Sequence, residues 1–283
     1  MKKESLTIVI FIITCFFTFS CQKVTREEHN SKTEEGRMLT DEQLNFIGEK
    51  HNEYLEIVLE RSRFAEDKVQ AVIFQKQRLE EELGILPNNY SNKEVGITSK
   101  KTEEVVEVKT TKENLQAIKN NLVDKNDFIY FQKVLNFLES DKTEKNVETI
   151  SAFIEKIKNE MIVNNINSLD YETFLVFGTV LKSSAKFWLP TDLGGQDKFA
   201  FYRNESVEGV SFRSGGLVTN KKNWKDCLSD VLEADGSSAA SGFIAAAVVA
   251  GVTGGALGVP MLIEVAAGSG ISSAYGYFRS NRC

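Results

Sequence analysis

Between Ser237 and Phe278 runs a stretch with a single charge, Glu264, and a backbone dressed mostly in glycine, alanine and serine. Ala247, Gly251 and Gly255 stand four apart; Ala250, Gly254 and Gly258 repeat the spacing, and Ala266, Gly270 and Ala274 do so again beyond Pro260. Residues four apart share one face of a helix. A row of hydrogens and methyls on that face lets a second backbone come close, as small-xxx-small faces do between helices in lipid. The stretch therefore specifies a helix-packing surface, and the rest of the chain must supply something to pack against it.

The fold class this implies is all-α: a helical-bundle body followed by a C-terminal glycine/alanine-rich helical hairpin. Residues from Ala239 to Gly258 make a first leg close to the thickness of a hydrocarbon core. Val259-Pro260 makes a turn or kink, and Met261 to Phe278 makes a second leg. Glu264 near the start of that leg complements a helix dipole. Two destinations compete: insertion and self-association in a membrane, or burial against the body. Each glycine costs about 1 kcal/mol of helix propensity relative to alanine in water, so close packing is needed in either case.

At the other end, Lys2 and Lys3 precede an uncharged run from Leu6 to Phe19, the proportions of a signal-peptide core. The run closes on Thr-Phe-Ser-Cys, which resembles the lipobox of bacterial lipoproteins, with Thr18 where that family carries leucine. The resemblance implies cleavage after residue 20, a lipid on Cys21 and residence in the cell envelope. An ordinary cleaved signal is the alternative. The following polar segment, residues 21–38, is too poor in apolar side chains to fold and reads as a tether.

The body, residues 39–188, reads as successive amphipathic helices. Thr40-Asp41-Glu42-Gln43 is a capping box. Leu44, Ile47, His51, Leu55, Val58 and Leu59 form a stripe at helical spacing. The pattern resumes through Val69, Ile73, Phe74, Gln77 and Leu79 until Gly84 and Pro87. Residues 88–101 read as a turn-rich connection, and Val105 to Val108 as loop or helix start. Three further amphipathic segments follow, the first with Leu115, Ile118, Leu122 and Val123 as its apolar positions, and the apolar run after Ser168 reaches Trp188 through the middle of the core.

The segment FIGEKHNEYLEIVL, residues 46–59, resembles the opening of a group of uncharacterised bacterial envelope lipoproteins that pair a Gly-x-x-His-Asn helix with a glycine-zipper tail. That resemblance implies an architecture and no activity. His51 reads as a helix-face residue hydrogen-bonded at the edge of the core. A catalytic role would need an acid, nucleophile or metal beside it, and the sequence's second histidine, His29, lies in the tether.

Residues 189–223 carry paired glycines and interleaved aromatics and read as a long surface loop, or as a partner-binding loop. Residues 224–283 begin with an amphipathic rhythm over Trp224, Cys227, Leu228, Val231 and Leu232, which Asp235-Gly236-Ser237 is expected to interrupt. In an oxidising envelope, a Cys227–Cys283 bridge would close a loop of more than fifty residues, worth about 3–4 kcal/mol. The sequence leaves open whether the two cysteines meet.

The formal charge is −6 and no basic face is evident, which argues against nucleic acid as a partner. The chain has no CxxC and no His/Cys cluster, so no metal or cofactor is expected. The leading functional expectation is a non-enzymatic lipoprotein, held to a membrane by Cys21. Its tail would engage the membrane or a second copy in a homo-oligomer. A secreted bacteriocin-like toxin and an enzyme with His51 in a cleft are the competing readings.

Overall fold

The computed structural model describes residues 39–83, 109–140, 144–198, 202, 224–253 and 258–279, all belonging to one unit, Gly36–Cys283. Among the described residues the regular secondary structure is all helical, without strands. The helices are α1 (Asp41–Ser62), α2 (Lys68–Glu82), α3 (Thr111–Asn121), α4 (Phe128–Glu139), α5 (Val147–Val163), α6 (Ser168–Trp188), α7 (Trp224–Thr253) and α8 (Val259–Arg279). The signal segment, Cys21, the tether, residues 88–101 and 105–108, Gly254, Gly255 and Cys283 lie outside the described residues.

Local chemistry sets the helix starts. Thr40 and Gln43 close a capping box on α1; Thr110 with Glu113 and Asn146 with Thr149 do the same on α3 and α5. Each satisfies backbone N–H groups that the first turn leaves without partners. α8 begins at Val259, which puts Pro260 in the first turn, where its missing N–H costs nothing.

At the centre, α1, α6, α7 and α8 form a ring in which each packs on its two neighbours: α1 on α8, α8 on α7, α7 on α6 and α6 on α1. α7 and α8 run antiparallel, since Ser238 bonds Ser272 at 2.9 Å while an added Cβ on Gly242 would reach Val265 and one on Gly276 would reach Ala234. α2 covers α1 and α8, α3 covers α7, and α5 covers α6. Aromatic side chains fill the middle: Phe131 meets Phe174 and Phe177 edge-on at 5.5 and 5.3 Å. Trp188 stacks on Tyr277 of α8 at 5.1 Å.

Backbone polar groups at the joints are held by buried acids. The Glu172 carboxylate accepts from Leu39 N–H at the mouth of α1. Asp170 accepts from Val123 and Asp124 N–H at 2.8 and 2.9 Å, turning the chain between α3 and α4.

Three expectations need correction. Asp235-Gly236-Ser237 does not interrupt α7, which runs unbroken from Trp224 to Thr253. Gly236 is there for contact: a Cβ on it would lie 2.9 Å from the Phe177 ring. The stripe of α2 is Val72, Gln75 and Leu79, while Phe74 is 58% exposed, because the turn capped by Asp67 starts a new helical phase. Val123 is likewise exposed, since α3 ends at Asn121 and the chain turns away.

At Gly270, α8 comes close against the backbone of α1. A Cβ on Gly270 would come within 2.8 Å of both the His51 carbonyl oxygen and the Leu55 nitrogen. Gly268, two residues earlier, has nothing within 4 Å. Gly270→Ala is therefore expected to destabilise the protein by about 2 kcal/mol or more, through overpacking against rigid backbone. Gly268→Ala should be neutral or stabilising by up to about 1 kcal/mol. Urea unfolding of the two variants checks the contrast.

Candidate functional site

The four central helices each place one polar side chain at a common point. His51 comes from α1, Ser184 from α6, Asp235 from α7 and Ser269 from α8, and all four are 0% exposed. Each sits on its helix's buried stripe, between Ile47 and Leu55, Leu181 and Trp188, Val231 and Ala239, and Val265 and Ser273 respectively. Helical spacing therefore aims all four inward. His51 is thus not at the edge of the core, as the sequence suggests, but at its centre. The difference arises because α8 covers the face of α1 that carries it.

His51 Nδ1 lies 2.9 Å from Ser269 Oγ, and Ser269 Oγ donates to the Ala266 carbonyl at 2.9 Å. A serine has one proton, so when Ala266 receives it the imidazole Nδ1 must donate. On the other side of the ring, Nε2 faces Asp235 Oδ2 at 3.5 Å, an electrostatic contact longer than a hydrogen bond. The Ser184 hydroxyl donates to the same carboxylate oxygen. His51 Nε2 and Asp235 Oδ1 make no hydrogen bond among the described residues. Beside the cluster, the Asn52 amide donates to the Ser183 carbonyl at 2.9 Å, tying α1 directly to α6.

Serine, histidine and aspartate are the residue types of an acyl-transfer triad. In that arrangement Nε2 takes the proton of the nucleophile and Nδ1 is oriented by the acid. Here the two ring nitrogens are exchanged, with Nδ1 toward the serine and Nε2 toward the acid. A nucleophile must also meet its substrate, and Ser269, His51 and Asp235 have no exposed surface. The described surface depression, lined by Ala152, Glu155, Lys156, Asn159, Glu160, Val163 and Asn164, lies on α5 and its C-terminal end, and contains none of these residues. Chemically, the cluster is a set of buried polar contacts that joins four helices.

The packing residues of the tail divide by position. Ala247, Ala250 and Ala274 are buried, and Gly270 lies against α1. Gly258 is exposed at the head of α8, where an added Cβ would have Pro260 as its nearest neighbour at 3.5 Å. Gly251 lies in the last turn of α7. Cys227 lies in the first turn of that helix, but a pairing with Cys283 falls outside the described residues. No group of three or more His, Cys, Asp or Glu side chains suited to a metal occurs among the described residues.

The sequence reading did not single out Asp235, Ser184 or Ser269. A signal was present for Asp235. It continues the Leu228, Val231, Leu232 rhythm by one more step, which puts a carboxylate on an apolar stripe, as His51 is on α1.

Elsewhere on α7, the Glu233 carboxyl is perturbed. Burial, then repulsion from Glu139 at the end of α4 and from Asp230, pushes Glu233 up to about 7 from an ordinary 4.5. Comparison with known proteins finds no matching family model, curated protein or solved structure, so the site is read from its own chemistry.

Two outcomes follow. Between about pH 4.5 and 7 the folded protein binds a proton on Glu233 that the unfolded chain releases, so stability falls as pH rises through that window. Glu233→Gln should be more stable than the parent by about 2 kcal/mol at about pH 8 and equal to it at about pH 4, in urea titrations. His51→Leu alone removes the ring that faces Asp235 Oδ2 and Ser269 Oγ, leaving buried polar atoms without that partner, and should cost about 1–3 kcal/mol. Adding Asp235→Leu should recover part of that loss; purely additive losses would mean the two groups are not coupled.

Proposed function

We propose that the protein is a non-enzymatic, lipid-anchored protein of the cell envelope, carried on Cys21 and a polar tether. Its glycine-zipper tail acts as a helix-packing hairpin whose first partner is the protein's own body. The observation that carries the second half is the near-contact of Gly270 with the backbone of His51 and Leu55. A small-residue face seated this closely on α1 has its packing partner already, within one chain. The complete burial of the polar cluster supports a non-catalytic role, since nothing there faces a substrate. The anchor rests on the lipobox-like Thr-Phe-Ser-Cys and the preceding apolar run. Among the described residues no helix is long and apolar enough to cross a membrane.

A second reading, a bacteriocin-like membrane-permeabilising protein, draws on Val248 and Val259. They are 44% and 56% exposed at facing ends of α7 and α8, within a stretch free of charge. Dye release from liposomes by the purified protein would favour that reading.

The anchor is tested by radiolabelled palmitate in a bacterial host. The proposal expects label on the parent protein, none on Cys21→Ala, and transfer of the variant from the membrane fraction to the soluble one. Equal labelling, or an unlabelled parent, contradicts it.

A further inference from the structure

Eight large apolar side chains are exposed among the described residues, and they are not spread evenly. Val123, Ile129, Ile162, Val163, Val248 and Val259 share one end of the bundle, while Phe64 and Phe74 lie at the other. The helix directions fix this. α8 runs parallel to α1, because its Gly270 meets His51 and Leu55 while its Phe278 lies under Lys68, beyond the close of α1. Val259 at the head of α8, and Val248 near the end of the antiparallel α7, therefore lie beside the start of α1. α6 also begins there, since Glu172 holds the Leu39 N–H, and its far end reaches Tyr277 through Trp188. Asp170 in the same turn of α6 holds Val123 and Asp124. α5 stops at Val163, just before α6 starts, and the Asn164 amide donates to the Tyr130 hydroxyl at 2.8 Å, which brings in the first turn of α4 with Ile129. At the opposite end, Phe64 follows α1, and Phe74 sits on α2, which is tied there by Lys68 over Phe278 and by Glu82 to Arg61.

The chain from Cys21 enters the body at this same end, at Leu39. Residues 22–38 separate the two, and a flexible chain of that length reaches about 20–25 Å. α1 alone, 22 residues long, spans about 33 Å. An anchor at Cys21 thus holds the end with six exposed apolar side chains toward the bilayer, and the end with Phe64 and Phe74 away from it.

We propose that this end of the bundle is a membrane-docking face, which rests on the bilayer that holds Cys21 and buries Val123, Ile129, Val163 and Val259 among the lipids. The placement depends on the Cys21 anchor. Attachment makes docking an intramolecular event, so a contact too weak to hold a free chain is populated on a tethered one. The exposed charges at this end include Asp41, Glu42 and Asp124 against Lys125. No basic face draws anionic headgroups here, and the contact is apolar and insensitive to salt.

Photolabelling reads the contact residue by residue. Residues 21–283, which keep every described helix, carry an N-terminal hexahistidine tag and are held on phosphatidylcholine vesicles by a nickel-chelating lipid. A second phosphatidylcholine carries a diazirine in its acyl chain. The nickel lipid supplies the attachment, so the result bears on the docking face alone; palmitate labelling decides separately whether Cys21 is acylated in a cell.

The expected label falls on peptides with Val123, Ile129, Ile162, Val163, Val248 and Val259, at low and high salt alike, with none above background on Phe64 and Phe74. Ile129→Asp with Val163→Asp changes exposed sites, where substitution alters stability little. The pair should cut label over the whole end, Val248 and Val259 included, by about tenfold or more, because a carboxylate resists leaving water. Equal label on Phe64 and Phe74, or label that ignores the two aspartates, overturns the proposal. So does an unlabelled chain; if it then sediments as a dimer that the aspartates dissociate, the face covers a second copy instead. Label confined to Val248 and Val259, with release of entrapped dye, would mean hairpin insertion and overturns a resting face as well.

Discussion

The contact on which the rest of the architecture depends is the approach of α8 to α1 at Gly270. There the helix surface is reduced to a hydrogen, and the backbone of His51 and Leu55 occupies the space a methyl group would need. Bringing two helix axes that close fixes what else can lie between them. His51 reaches across to Ser269 one residue before the glycine, and Leu55 is fully buried one turn on. The small residues of the tail are therefore not simply a weakly hydrophobic stretch. They are the condition for a four-helix centre narrow enough that four short polar side chains can meet in it.

That centre is held by two different kinds of force. Aromatic and branched side chains from α4, α6 and α8 supply non-directional burial, with Phe131, Phe174, Phe177 and Trp188 among the largest fully buried groups. His51, Asp235 and the two serines add little net stability, because the cost of taking polar groups out of water offsets most of what their contacts return. What such a group can supply is selectivity of arrangement: rotating any one helix by a residue takes its polar side chain out of the cluster. That cost falls on misregistered packings of the Ala/Gly faces, which would otherwise differ little from one another in buried area.

Most of the helices were legible in the sequence because their caps and stripes are local. Thr40 with Gln43 and the spacing from Leu44 to Leu59 need no knowledge of the rest of the chain. The phase of α2 was not legible, since Val72 and Val69 are equally apolar and only the packing of α1 and α8 selects between them. The continuity of α7 was hidden for a related reason. Asp-Gly-Ser has the composition of a turn, and in isolation Gly236 weakens a helix. Against the Phe177 ring the absence of a side chain is what allows the helix to pass. The polar cluster was half legible: His51 and Asp235 both fall on apolar stripes, but nothing in the linear order, 184 residues apart, says that the two stripes face one another.

The account turns on whether the tail helices pack within their own chain. The most direct measurement is a nuclear Overhauser contact between the Trp188 indole and the Tyr277 ring, recorded on uniformly labelled protein and again on a mixture of labelled and unlabelled chains with an intermolecular filter. Packing within one chain predicts a strong cross-peak in the first spectrum and none in the second. A cross-peak that survives the filter, or that is missing from both, would contradict it.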